Sequence, residues 1–169
     1  MQKAIKQSSA LMMIIIFTVT TLVLSGCASS PFKMEGVNQS ITPQQTLDNK
    51  ALVNSKVVWG GMIIETRNFK NNSQIELLIY PLHSNGEPIK SAQPQGRFLI
   101  KHDGFLEPAQ YSSGRFLSAL GKVQTSEAGK IGEANYQYPV IKAEQLHLWE
   151  EYQESDSRTR FSIGIGIGL

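Results

Sequence analysis

The sequence predicts a mainly β domain, folded as a small closed or partly open barrel of five or six strands, with one short helix ahead of it. Three observations carry this. From Lys56 onward the 169-residue chain breaks into short runs rich in Val, Ile, Leu, Phe and Tyr, separated by Gly, Asn and Pro, the pattern of strands and turns. The first run is long and is interrupted by Gly60 and Gly61, and paired glycines predict a bulge or a sharp bend. In a later run Ile75, Leu77 and Ile79 alternate with Glu76, Leu78 and Tyr80, the period of two expected of a strand. A long, bent first strand followed by about four others favours a barrel of the oligonucleotide/oligosaccharide-binding (OB) type over a flat sheet.

Residues 1–26 precede this domain and read as a cleaved secretory leader. Lys3 and Lys6 stand ahead of an uncharged apolar run of 15 positions, Ala10 to Leu24, short of the roughly 20 that cross a hydrocarbon core as a helix. Small residues then lead into the only cysteine, in "LSGC". A basic start, a short apolar run and a small-residue ending form the three-part layout of a signal peptide. "LSGC" resembles a bacterial lipobox, which makes Cys27 the mature N-terminus, carrying N-palmitoyl and S-diacylglycerol groups. Three acyl chains at about 0.8 kcal/mol per buried CH₂ give a gross attachment term on the order of 30 kcal/mol. The partner so implied is outer membrane lipid. Residue 28 is Ala; in lipoproteins of this layout an Asp there favours the inner membrane, so the expected address is the outer membrane, mainly its periplasmic face.

Removing the leader changes the charge argument. The chain has 16 basic and 14 acidic side chains, and loss of Lys3 and Lys6 leaves 14 of each. A balanced surface has no electrostatic motive to bind nucleic acid. With Cys27 acylated no thiol remains for a disulfide, so the domain must stand on its hydrophobic core.

Residues 27–40 are polar with a single aromatic and read as the lipidated N-terminus and a tether; residues 41–152 read as the barrel domain. In "ITPQQTLDNKAL", Thr42 and Gln45 have capping-box spacing and Pro43 suits a first helical position. A helix from Pro43 to about Ala51 is predicted, with Leu47, Ala51 and Leu52 as its apolar face. Strands follow at Lys56–Phe69, Ser73–Leu82, Gly96–His102 and Gly114–Ser126. The segment "NYQYPVIKAEQLHLWEEY" adds one or two more. Residues 153–169 form a tail in which Ile163, Ile165, Ile167 and Leu169 alternate with glycines, an extended segment suited to a sheet edge, a lipid surface or disorder.

Candidate chemistry is sparse. Trp59, Tyr80, Tyr111, Tyr136, Tyr138 and Trp149 are aromatics that could face a sugar or base in the barrel groove, or serve as core and corner residues. His83, His102 and His147 lie in three separate segments without metal-ligand spacing, so no metal and no cofactor is expected. Ser112 and Ser113 lack a G-x-S-x-G elbow, and Glu107 and Glu133 are an uninformative carboxylate pair. Arg97 and Arg115 each follow a glycine and precede a phenylalanine, suggesting structural arginines at strand starts. No catalytic residue is predicted.

The stretches "VVWGGMI", "LLIYPL", "GRF", "GFLEPAQYSSGRFLSALGKV", "KIGEANYQYPVI" and "LHLW", with the asparagine-rich turn after the first, resemble in order and spacing the Slp family of outer membrane lipoproteins. The resemblance runs from Cys27 to about Trp149; "SDSRTRFSIGIGIGL" lies outside it. It implies a lipid-anchored protein of the Gram-negative outer membrane, associated with starvation, stationary phase and acid stress, and it supplies no reaction to carry over. The expected role is therefore non-enzymatic, structural or interactive, with an envelope protein or a second copy as partner. The alternative is a binding module for a glycan, a peptidoglycan fragment or a small amphiphile.

Overall fold

The computed structural model describes residues 30–150; the leader, Cys27 and the Ile/Gly tail lie outside the described residues. Five strands form the domain: β1 (Lys56–Asn68), β2 (Asn72–Ile79), β3 (Arg97–Asp103), β4 (Phe116–Ile131) and β5 (Ala134–Leu148). They close into a barrel in the order β1-β2-β3-β5-β4, with β4 returning to β1. All neighbours are antiparallel except β3 and β5, which run parallel at Leu99–Lys101 against Val140–Lys142.

Period-two alternation fills the interior. Ile75 pairs with Ile100 and Leu77 with Phe98, and all four are fully buried. Val57, Trp59, Ile63, Leu117, Ala119, Val123 and Ile141 complete the cluster. Each such side chain contributes about 1.5–3 kcal/mol by leaving water. Ile41 and Leu52 join this core from ahead of β1, and Leu106 and Tyr111 join it from beyond β3. Both mouths of the barrel are thereby stoppered with apolar residues.

The first strand serves two neighbours. Lys56–Met62 pair with β4, and Gly61–Asn68 pair with β2, so the handover falls at the predicted glycine pair. A Cβ on Gly61 would sit 1.6 Å from the Leu78 carbonyl oxygen, a separation no side chain tolerates. The register irregularity itself falls further on, between Ile63 and Glu65.

The last two strands are longer than expected, and the predicted "one or two" strands after the β4–β5 turn are one strand of 15 residues. Pro139 lies within β5 and interrupts it little, because the register slips there: Gln124 pairs with Val140 and Glu127 with Tyr138, leaving Thr125 and Ser126 opposite the proline. A bulge is where a strand can hold a residue without an N–H.

The predicted helix is shorter. Its capping box forms, with the Thr42 N–H donating to Gln45 Oε1 at 2.9 Å and the Gln45 N–H to Thr42 Oγ1 at 3.4 Å. The α-helix α1 covers only Gln45–Asp48; Asn49 is extended and its side chain caps a 3₁₀ turn at Lys50–Leu52. Asn offers the backbone a local hydrogen bond that competes with helix continuation. Ala51 is consequently exposed and Leu47 half-buried, while Ile41, Pro43 and Thr46 supply the buried contacts.

The boundary of the tether also moves. From Ser30 onward the chain is packed on the barrel, not hanging from it. Phe32 is buried on the outer side of β1 and β4 against Val58 and Leu120, with Met34 and Val37 beside it. The Asn38 N–H donates to the Lys56 carbonyl at 2.8 Å. Three apolar side chains in a polar segment are enough to hold it, because each finds a partner on the strands beneath.

Candidate functional site

Barrels of this class bind ligands across the outer surface of strands 2 and 3, between the loops that flank it. Here that surface is covered by the chain itself. The β4–β5 hairpin extends well past the point where β4 leaves β1, and the extension folds back as a ribbon. Tyr138 and Val140 pack on Leu99, with Ile131 and Tyr136 at the edge. The Tyr138 hydroxyl donates to Glu76 Oε1 at 3.2 Å, and Arg97 Nη1 donates to the same oxygen at 2.7 Å. The Tyr136 hydroxyl accepts the Arg97 backbone N–H at 2.9 Å. A Lys101–Glu127 ion pair ties the ribbon to β3 further along. Burial, then the neighbouring Glu76 carboxylate, push the Tyr138 phenol above its ordinary range, so it stays a neutral donor at every physiological pH.

An open cleft of about 300 Å³ lies between β1, the chain after β2 and the segment before α1. Its floor is Val58, Trp59 and Gly60, and its walls include Ile41, Pro43, Ile79, Tyr80 and Leu82, with Gln39, Thr42, His83, Ser84 and Gln95 at its polar positions. The Trp59 indole N–H donates to the Ile41 carbonyl at 2.8 Å and pins one wall to the floor. Gln39 Nε2 reaches the Ser84 carbonyl at 3.2 Å and ties the two walls together. At Gly60 a Cβ would lie 2.3 Å from Ser118 Oγ, so the glycine leaves room for the side chain of its β4 partner. No carboxylate, lysine or arginine lines the cleft. Such a lining suits a neutral or amphiphilic molecule.

The aromatics singled out in the sequence occupy separate settings. Trp59 is buried in the interior, edge-on to Phe98 at 5.6 Å, and also lines the cleft. Tyr80 lines the cleft and meets Phe116 edge-on at 5.3 Å. Tyr111 stoppers the far mouth. Tyr136 and Tyr138 hold the ribbon. Trp149 sits in the outer cluster with Phe32, its indole N–H donating to Ser118 Oγ at 2.9 Å.

The remaining candidates are equally dispersed. His83 borders the cleft, His102 lies at the end of β3, and His147 sits between the rings of Phe32 and Trp149. Among the described residues no three of His, Cys, Asp and Glu converge on a metal position. Asp103 pairs with Lys142 at 2.9 Å. Arg97 serves Glu76, and Arg115 donates to the Gln110 carbonyl at 2.7 Å. Sequence reasoning missed the cleft and the ribbon. The ribbon had little local signal: Glu127, Ala128, Gly129 and Lys130 ahead of the Gly132–Glu133 turn are poor strand formers, and they are strand only because β5 pairs with them.

The architecture therefore defines a class: a five-stranded OB-like barrel whose customary binding face is closed by its own last hairpin. The chain belongs to the outer membrane lipoprotein Slp family, whose sequence profile matches residues 24–164, so the match begins at the first residue of the "LSGC" ending and runs into the tail. It is 32% identical to an uncharacterized protein of Haemophilus influenzae strain Rd over 138 residues, 80% of this chain and 75% of that protein. It is 28% identical over 133 residues to the outer membrane protein Slp of Escherichia coli K12, 76% of this chain and 70% of that one. It is also 28% identical over 138 residues to the uncharacterized lipoprotein YeaY of the same organism, covering 79% and 70%. The protein is an outer membrane lipoprotein.

Proposed function

We propose that this lipoprotein is held through acylated Cys27 and has a non-enzymatic role in the envelope, presenting the barrel to another protein or to a second copy. The observation that carries the reading is the ribbon: Tyr136 and Tyr138 spend the β2–β3 surface on an internal contact. The domain then offers a closed, charge-balanced exterior rather than an open oligomer groove. Among the described residues two large apolar side chains are left in water, Phe69 at 55% and Phe105 at 67% exposure. Asn68 brings their loops together, bonding both the Leu106 carbonyl and the Leu106 N–H, at 2.8 and 3.1 Å. A starvation and stationary-phase association follows from the family resemblance.

Photo-crosslinkers placed at Phe69 and Phe105 in cells test this. The expected product is one discrete adduct, with an envelope protein or a second copy, lost when the other phenylalanine is changed to Ser. A smear without a discrete adduct at either position would overturn it. Replacing Cys27 by Ala should release the protein from the membrane fraction. Abundance followed through growth tests the stationary-phase association.

The cleft supports a second reading, a binding module for a glycan, a peptidoglycan fragment or a small amphiphile. Trp59 fluorescence in a Trp149→Phe background, titrated with a monoacylglycerol or a muropeptide digest, would show a saturable change under that reading.

A further inference from the structure

The stretch between the attachment point and the folded barrel is very short. Ser30 is already anchored: its Oγ donates to the Asn85 carbonyl at 2.8 Å, and the Phe32 N–H donates back to that Oγ at 3.2 Å. Phe32 is only 5% exposed and meets His147 edge-on at 6.1 Å. Lys56 Nζ holds the Glu35 carbonyl at 3.4 Å. Cys27 stands three positions before Ser30, and three extended residues reach at most about 11 Å.

Resting on the reading of Cys27 as the acylated residue, we propose that the barrel lies against the phospholipid leaflet that holds its anchor, with one defined face toward the lipid. That face surrounds Ser30 and carries Pro31, Lys33, Asn85, His147 and Trp149. A linker this short leaves no room for another side of the domain to turn toward the bilayer while Phe32 stays seated. The chemistry of the face fits the partner. Trp149 is an amphipathic ring of the kind that settles at headgroup level, and its indole N–H is already satisfied by Ser118. Lys33 is exposed and can meet lipid phosphate.

The opposite surface follows from the ring order. β3 stands across the barrel from the β1–β4 seam, so the ribbon and its ion pairs look away from the membrane. The cleft shares Val58 and Leu82 with the Phe32 cluster, and its Ser84 adjoins Asn85. It opens beside the lipid surface.

The test uses the full acylated protein in phospholipid vesicles containing headgroup-level nitroxide lipid. Acylation removes the only native thiol, so Lys33→Cys and Gln137→Cys can each be labelled with a fluorophore without touching the core. The label at position 33 should be quenched several-fold more than the label at 137, and inserting about a dozen Gly/Ser residues between Ser29 and Ser30 should abolish the difference. Equal quenching at the two positions in the native-length protein would overturn the proposal. A difference that survives the insertion would overturn the linker as its cause. Mass spectrometry of the N-terminal peptide distinguishes the two failures: an acylated Cys27 with equal quenching refutes the apposed face alone, whereas an unmodified Cys27 refutes the anchor reading.

Discussion

The barrel is covered on two outer sides by segments of its own chain, and the two coverings use different physics. On the β1–β4 side the N-terminal segment lays Phe32, Met34 and Val37 onto Val58 and Leu120, and its polar ties, from Ser30, Asn38 and Lys56, all end on backbone carbonyls. On the β2–β3 side the ribbon presents Tyr136 and Tyr138, and its hold combines ring contact with hydroxyl bonds to Arg97 and Glu76. The first covering can be opened only by exposing hydrocarbon. The second adds to its own buried apolar contact, Leu99 with Val140, side-chain bonds through a tyrosine hydroxyl that can titrate.

The sharpest way to break the contrast is Phe32→Ala. Loss of a buried aromatic should cost about 3–4 kcal/mol in urea unfolding and should release the segment from the barrel, read as new protease cleavage between Ser30 and Ser40. Tyr136→Phe should cost less, about 1–2 kcal/mol, because the Arg97 N–H loses its acceptor while the ring remains. The barrel should stay closed, with faster amide exchange confined to the start of β3.

Tyr138→Phe should lower stability by about 1 kcal/mol at neutral pH, and it also gives the pH test. The folded phenol titrates above its unfolded value, so its contribution is complete below the ordinary tyrosine range near 10 and is lost as pH rises through the folded pKa. The variant's alkaline unfolding curve should therefore be flatter than the parent's over that window. The smallest effect belongs to the solvent-exposed pair Lys122–Glu144, 3.7 Å apart; Lys122→Ala should change stability by roughly 0.5 kcal/mol or less, and salt should erase even that.

Much of the fold was legible because its signals are local. Period-two alternation in residues 75–79, turn residues between runs and the Gly60–Gly61 pair are visible within a few positions, and each matches an observed strand or the β1 handover. Boundaries failed where a distant partner overrode the local pattern. "NYQYPVIKAEQLHLWEEY" could be one strand or two; it is one, because Pro139 is carried through by a bulge opposite Thr125 and Ser126. "SSPFKMEGV" looked like a tether because three apolar residues in nine do not reveal that Val58 and Leu120 wait beneath them. The candidate aromatics could be named but not sorted, since burial of Trp59 and partial exposure of Tyr80 depend on which strands close beside them.

By itself the sequence determined the class of the molecule: an outer membrane lipoprotein with a single cysteine and a run of strands sufficient for one small barrel. Those are properties of composition, order and short-range period, which need no partner to be expressed. Only the tertiary structure decided which surfaces remain available. It closed the β2–β3 face with the ribbon, opened the neutral cleft beside Gly60 and shortened the span between Cys27 and the folded domain to three residues. Each of those depends on contacts between positions far apart in the chain, such as Ser30 with Asn85, 55 residues apart, and Glu76 with Tyr138, 62 apart, where no local pattern carries the information.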